Sequence, residues 1–321
     1  MKIAGFVLAA GVGSRLAPIT DGIPKPMMPI GRRPLLGYLV DRLVAAGVSG
    51  VFVNLHAHSG VIEEFLDTGH WAVPVEHRRE PALTGPAGAL TLFADELRDY
   101  DAILVVSGDV LLDTALDPLV HTHFDRAADF TFGVVHTTGA RRYGVLDVAQ
   151  DGTVVGAREK PDVPDHERHA ISAGVYCLAP HMVDVLQELL RQQATVDYAR
   201  HLAPHLLSRR RPVAAWELPG YWIDVGTPSA LREASIDALH GRIDGFPDRS
   251  PVHVSPSARL EPEVELRGSV LIGPGARIGR GATVVDTVVL PGAEVAAGTA
   301  VLGGLVAGHP DSVPTRWWVD S

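Results

Sequence analysis

The chain has 321 residues, 46% of them apolar and 21% charged, enough for two domains with substantial cores. Its net charge of −10, from 28 basic and 38 acidic residues, argues against a nucleic-acid or anionic-membrane surface. Cys177 is the only cysteine, which excludes an intrachain disulfide and a zinc–cysteine cluster and fits a reducing cytoplasm.

Ile3 to Leu8 is a short apolar run of the kind that forms a buried parallel strand. Met1-Lys2 before it imitates a signal peptide, but the run ends in a glycine-rich loop rather than an A-x-A cleavage site. No run approaches the roughly 18 apolar residues of a membrane helix. In the loop Ala9-Ala10-Gly11-Val12-Gly13-Ser14-Arg15, small residues leave the backbone open to a ligand, and successive N–H groups can converge on an anion. Arg15 follows at once, and Lys25 lies between Pro24 and Pro26. A bare loop flanked by two cations suits a polyphosphate. It is neither a Walker A loop, which ends in G-K-[ST], nor the dinucleotide fingerprint, because Leu16 replaces the third glycine.

An apolar stripe from Leu35 to Val44, between Pro34 and Gly47, predicts a helix over 34–46. A strand is expected at Val51 to Leu55, a helix over 60–67, a strand at Val73 to Glu76 and a helix from Pro86 to about Arg98. This alternation predicts right-handed crossovers and a mostly parallel sheet, with ligands outside the carboxyl ends of its strands. The strand Ala102 to Ser107 delivers Gly108-Asp109 at such an end, where a carboxylate suits Mg²⁺ held against phosphates, or simply a turn. Asp113 reads as a turn or cap residue. Strands are expected over 130–136 and 143–148 and from Thr153 to Ala157, helices near 180–192, 197–207 and 228–239. Cys177 reads as a small buried hydrophobe. His56-x-His58 and His121-x-His123 have a spacing that puts both rings on one face of a strand, but no third ligand accompanies either pair.

After Gly241 the pattern changes. Val254, Leu260, Leu266, Ile272, Ile278 and Val284 recur every six residues, and after a one-residue slip Val289, Val295 and Val301 resume the beat. Such hexapeptide periodicity predicts a parallel β-helix of three coils, packed on the first domain or on a partner. The expected division is 1–241, 250–305 and a tail over 306–321, whose Trp317 and Trp318 would cap a coil or fill a subunit contact.

G-V-G-S-R-L-A-P-I-T with P-K-P, L-V-V-S-G-D, R-Y-G, E-K-P, I-S-A-G-V-Y and W-I-D-V-G-T-P together resemble the motifs of the sugar-1-phosphate nucleotidylyltransferases, nearest to mannose-1-phosphate guanylyltransferase-like members. The resemblance runs from Ile3 to about Val301. It implies a Rossmann-like α/β sheet with helices on both faces and a left-handed C-terminal β-helix. It also implies a cytoplasmic enzyme that joins a nucleoside triphosphate to a sugar 1-phosphate, the expected pair being GTP and mannose 1-phosphate or a related sugar phosphate. By the resemblance, Arg15 and Lys25 are catalytic, and Asp109 and Asp224 hold Mg²⁺. Leu8, Ala10, Gly11, Gly13, Glu80, Gly88 and Gly108 surround the nucleotide; Gly144, Glu159, Lys160 and Ser172 surround the sugar phosphate. Glu80 would accept from guanine, or else is a solvated loop carboxylate, since Glu80 to Gly88 is longer than the common E-P-L-G-T-A-G. Ser172 replaces the usual asparagine. Asp224 by itself would be a helix-terminal charge. A homo-oligomer, dimer or larger, is expected. The alternatives are a thymidylyl- or uridylyltransferase, a non-catalytic nucleotide-sugar-binding homologue, and an acetyl-CoA-dependent acyltransferase built on the hexapeptide coils. Retention of all five charged residues, Arg15, Lys25, Asp109, Lys160 and Asp224, disfavours the second; three short coils disfavour the third.

Overall fold

The computed structural model describes residues 1–309 and 313, except 12, 18, 22, 32, 57, 58 and 245–249. Val12, His58, Trp317 and Trp318, singled out above, lie outside the described residues. The first part of the chain runs through β1 (Ile3–Leu8), α1 (Leu35–Ala45), β2 (Gly50–Leu55), α2 (Ser59–Thr68), β3 (Val75–Arg79) and β4 (Ala102–Ser107). It continues through β5 (Val110–Leu112), α3 (Asp117–Asp125), β6 (Phe130–Thr137), β7 (Gly144–Val148), β8 (Val154–Glu159) and β9 (His169–Leu178). It ends with α4 (Met182–Gln192), α5 (Ala203–Ser208), β10 (Val213–Glu217), β11 (Trp222–Asp224) and α6 (Pro228–Leu239).

One half of the main sheet is parallel, in the order β3, β2, β1, β4; β9 then joins β4 antiparallel and carries β7 and β6, with β8 and β10 beyond. β1 is apolar throughout because both its faces are covered. Ile3 and Val7 point into a core closed by α1, α2, α3 and α6, and Ala4 and Phe6 into a second core closed by residues 87–97, α4 and α5. Successive strand side chains point to opposite faces, so an amphipathic β1 would strand polar groups in one of the two layers.

Two expected helices are broken. The stretch expected to be helical from Pro86 is an α turn at Gly85–Gly88, a 3₁₀ turn at Ala89–Phe93 and an α turn at Ala94–Leu97. Its start is held by tertiary hydrogen bonds, with the N–H groups of Ala87 and Gly88 donating to the Val196 carbonyl and Val196 N–H donating to Thr84. Phe93, at φ −120° and ψ 32°, interrupts the helical path. The helix expected over 197–207 opens instead as a π turn at Tyr198–Leu202 before α5. His121 and His123 sit on α3, where a spacing of two does not place side chains on one face. His123 is buried, its Nδ1 3.0 Å from the Thr131 hydroxyl.

The last part is a stack of short parallel strands: β12 (Val252–Val254), β13 (Arg259–Leu260), β14 (Glu265–Arg267), β15 (Val270–Ile272), β16 (Arg277–Ile278), β17 (Thr283–Val285), β18 (Val288–Val289), β19 (Glu294–Val295), β20 (Ala300–Leu302) and β21 (Leu305–Val306). Each strand pairs with the third one after it, which gives three parallel sheets, and β21 adds a rung beyond the nine repeats. Ile272, Ile278, Val284, Val289 and Val295 fill the interior. Asp286, at φ 47°, absorbs the one-residue slip and accepts the Ser269 N–H at 2.9 Å. On the outside, Leu271, Val288 and Leu290 enter the same core as Leu231, Ala238 and Leu239 of α6. Arg232 adds hydrogen bonds to the Asp286 carbonyl at 2.6 and 3.1 Å.

Because this seam is continuous with the sheet's own core, Leu271→Ala should cost about 2–5 kcal/mol and lower one common melting transition. Separate melting of the two parts in calorimetry would contradict the shared core.

Candidate active site

The carboxyl ends of β1 and β4 are pinned side by side. Gly108 N–H donates to the Leu8 carbonyl at 2.9 Å, and a Cβ at position 108 would stand only 2.5 Å from that oxygen. Glycine is therefore required there by the close approach of the two strands. The next residue of β1's loop, Ala9, donates its N–H to Asn54 Oδ1 at 2.9 Å, which ties the loop to β2.

A single 3₁₀ turn, Lys25–Met27, brings the Lys25 side chain under these strand ends, where the residue is only 8% exposed. Its ammonium donates to Asp109 Oδ2 at 2.5 Å and lies 3.9 Å from Asp224 Oδ1. The two aspartates meet through the β5/β11 ladder, in which Asp224 pairs with Val110 and Val225 N–H donates to the Asp109 carbonyl. The Arg15 guanidinium stands 3.7 Å from Asp224 Oδ2. Burial, and then the neighbouring Asp109 charge, push the Asp224 carboxyl above the usual range, although Lys25, Arg15 and Arg142 pull the other way. Asp224 Oδ1 is buried and accepts no hydrogen bond.

Two chambers open on either side of Asp109 and share Pro86 and Ser107 as well. The first, about 280 Å³, is lined by Leu8, Ala10, Gly11, Lys25, Glu80 and Gly108 among others. Gly13 and Gly88 do not line it. The Gly13 carbonyl accepts from Leu16 N–H and the Thr20 hydroxyl, and Gly88 N–H donates to the Val196 carbonyl. Glu80 is 5% exposed and is not the solvated loop carboxylate considered from the sequence. Its Oε1 accepts from Asn54 Nδ2 at 2.6 Å, and its Oε2 accepts from the Thr84 N–H and hydroxyl at 3.0 and 2.7 Å.

The second chamber, about 560 Å³, gathers Arg15, Gly144, Glu159, Lys160, Ser172 and Asp224. The room exists because β9 bulges. Its pairing with β6 shifts between Ser172 and Tyr176, and it pairs with β4 only from Val175 onward. Gly174, at φ 74°, makes that bulge. Lys160 is largely exposed, its Nζ 3.3 Å from Glu159 Oε1. Burial, and then Asp197, raise the Glu159 carboxyl above its ordinary value. The Ser172 hydroxyl donates to the Tyr176 oxygen at 3.0 Å.

Asn54, Ser107, Arg142, Tyr176 and Tyr198 line the chambers without having been singled out as site residues. Ser107, Arg142 and Tyr176 fall inside the motifs L-V-V-S-G-D, R-Y-G and I-S-A-G-V-Y, and Asn54 is the one polar residue in the otherwise apolar run Val51 to Leu55; Tyr198 had no such signal. Among the described residues, no three His, Cys, Asp or Glu side chains cluster to hold a metal ion, and no helix is long and apolar enough to cross a membrane.

Known proteins resemble this chain along most of its length. The nucleotidyl transferase family profile matches residues 4–241. A mannose-1-phosphate guanylyltransferase of Mycobacterium tuberculosis is 30% identical over 307 residues, covering 94% of this chain and 83% of that protein. A glucose-1-phosphate adenylyltransferase of Bacillus thuringiensis is 26% identical over 92% of this chain and 88% of its own length. A solved Bacillus anthracis structure, described as a glucose-1-phosphate thymidylyltransferase, superposes with a TM-score of 0.65 at 24% identity, covering 73% of this chain and 94% of that one; it speaks for the fold alone.

A raised Asp224 pKa means the folded chain holds this proton more tightly than the unfolded chain does. Its contribution therefore favours folding at low pH and is lost as pH rises from the ordinary aspartate range through the raised value. Asp224→Asn in chelator-treated protein should flatten that part of the melting-temperature profile and leave the neutral-pH melting point no lower. A marked fall at neutral pH would show that the ion pairs to Lys25 and Arg15 outweigh burial.

Proposed function

The chain belongs to the nucleotidyl transferase family, and from that premise we propose that it condenses a sugar 1-phosphate with a nucleoside triphosphate, GTP and mannose 1-phosphate being the favoured pair. The observation that carries the reading is the position of Lys25 and the Asp109 and Asp224 carboxylates at the junction of two chambers. The first chamber takes the nucleotide and the second the sugar phosphate. An oxygen of the sugar phosphate attacks the α-phosphorus; the new P–O bond forms as the bond to the β-phosphate breaks, and pyrophosphate leaves with the bonding electrons. The nucleophile is already largely ionised at neutral pH, since its second pKa is about 6, so no general base is required. What the protein must supply is in-line positioning and neutralisation of charge.

Backbone groups around Gly11 carry the triphosphate, with Ala10, Leu8 and Gly108 beneath the nucleoside. Lys25 neutralises the α-phosphoryl oxygens from its fixed place beside Asp109, and Arg15, more exposed, meets the departing pyrophosphate. Lys160 seats the sugar's phosphate. Gly144, Glu159 and Ser172 frame the ring. Asp109 and Asp224 would hold Mg²⁺, which when bound supplies charge neutralisation at the phosphates. The donor set fits: a buried carboxylate oxygen without a partner, beside a second carboxylate, suits a hard cation whose remaining ligands come from substrate phosphates and water.

The guanine reading rests on Glu80 in the wall of the first chamber and on the Mycobacterium relative. A carboxylate has about four acceptor positions, and Asn54 and Thr84 take three of those on Glu80. A single remaining acceptor also fits the one N3–H of thymine or uracil, which keeps the thymidylyl and uridylyl reading alive. The stacked strands β12–β21 form, in this reading, a left-handed β-helix over 250–305, set against a catalytic domain over 1–241 in a cytoplasmic homo-oligomer.

Pyrophosphate release across a panel of triphosphates and sugar phosphates tests the assignment. Lys25→Ala and Asp224→Ala should each lower kcat on the order of 10²–10³-fold. Turnover with dTTP or UTP and none with GTP would reverse the base assignment, and near-normal turnover by either variant would remove that residue from the mechanism.

A further inference from the structure

Tyr198 opens the π turn Tyr198–Leu202, a rare conformation that recurs at functional sites. Asp197 caps the turn by accepting from the N–H groups of Ala199 and Arg200, each at 2.9 Å. The turn carries Asp197, Tyr198 and Ala199 into the wall of the second chamber, so close to Gly144 that a Cβ there would lie 2.7 Å from that of Ala199. The Tyr198 ring is stacked on Tyr176 at 3.9 Å between centroids and on Phe130 at 5.6 Å. The residue is 2% exposed, and its hydroxyl is buried without a hydrogen-bond partner. Buried polar groups are ordinarily paired. Phenylalanine would give the same stacking without that cost, so the oxygen is not explained by packing.

We propose that Tyr198 is a specificity-determining residue whose hydroxyl, covered in the free protein, is uncovered to the second chamber as the sugar binds and bonds a ring hydroxyl of the sugar 1-phosphate. The inference rests on the reading of the second chamber as the sugar-phosphate site. Position argues for a neutral group rather than the phosphate. Asp197 adjoins Tyr198, and Glu159 lies close enough to Asp197 to feel its charge. Of the chamber's cations, Arg15, Arg141 and Arg142 are supplied by other segments of the chain, while Lys160 lies beside Glu159. A sugar entering phosphate-first toward those cations would turn its hydroxylated face to the stacked tyrosines, where Tyr176 already receives the Ser172 hydroxyl and Tyr198 has no partner.

The test compares wild type and Tyr198→Phe on whichever of mannose 1-phosphate and glucose 1-phosphate the wild type turns over, together with the monodeoxy forms of that sugar phosphate. Losing one neutral hydrogen bond should raise the sugar-phosphate KM about three- to tenfold. The nucleotide KM should move little, and the melting point of the free protein should not fall. One monodeoxy analogue should show the same loss with wild type and no further loss with Tyr198→Phe, as expected for two partners of one bond. An unchanged sugar-phosphate KM in Tyr198→Phe, with an active wild type, overturns the inference alone. A wild type that turns over neither sugar phosphate removes the sugar-site reading and this inference with it.

Discussion

The arrangement depends on one buried ammonium held against two carboxylates. Lys25 is almost wholly covered, yet its charge is fixed beside Asp109 and within 4 Å of Asp224. A buried ammonium without partners is costly to take out of water, and two adjoining carboxylates without a cation would repel one another. Each therefore makes the other tolerable in the free protein. The balance is incomplete, because Asp224 remains raised and one of its oxygens lacks a hydrogen bond. That residual deficit is what a cation and a triphosphate bound together would relieve.

The sheet explains why these groups can converge. In the order β3, β2, β1, β4, the strands leaving β1 run to opposite sides, and the crevice between β1 and β4 is where ligands bind in such sheets. The Gly11 loop leaves one of these strands and Asp109 the other. β9 closes the far side of β4 but bulges at Gly174, and the gap it leaves becomes the second chamber. The two chambers thus arise from different causes, a topological switch and an interrupted ladder, and they meet where both border Pro86, Ser107 and Asp109.

The C-terminal coils take part in this support. Leu290 lies in the same core as Ile23, and Ile19 and Val313 pack against that core. The segment leading to Lys25 is therefore braced from the coil side as well as from the sheet. A strand stack with its own filled interior provides a firm surface for the apolar side chains of that segment.

Much of this was legible in the residues. The apolar run at Ile3 to Leu8 must be a strand buried on both faces, and the alanines and glycines after it leave a bare turn whatever the rest of the fold does. The six-residue beat from Val254 to Val301 requires stacked short strands, because no helix or ordinary sheet repeats with that period. These are local properties, set by side-chain size and periodicity along the chain. Tertiary structure decided the rest. The helix expected from Pro86 gives way to hydrogen bonds with Val196, more than a hundred residues away in sequence. Asn54 acquires its role only because β2 lies beside β1, and Glu80 is occupied only because Asn54 and Thr84 reach it. The Tyr198 oxygen is left unpaired by a stacking arrangement among Phe130, Tyr176 and a π turn. Sequence thus determined which charges and bare turns the chain possesses; which of them meet, and which are already spent on one another, depends on long-range strand order and side-chain pairing that no local pattern encodes.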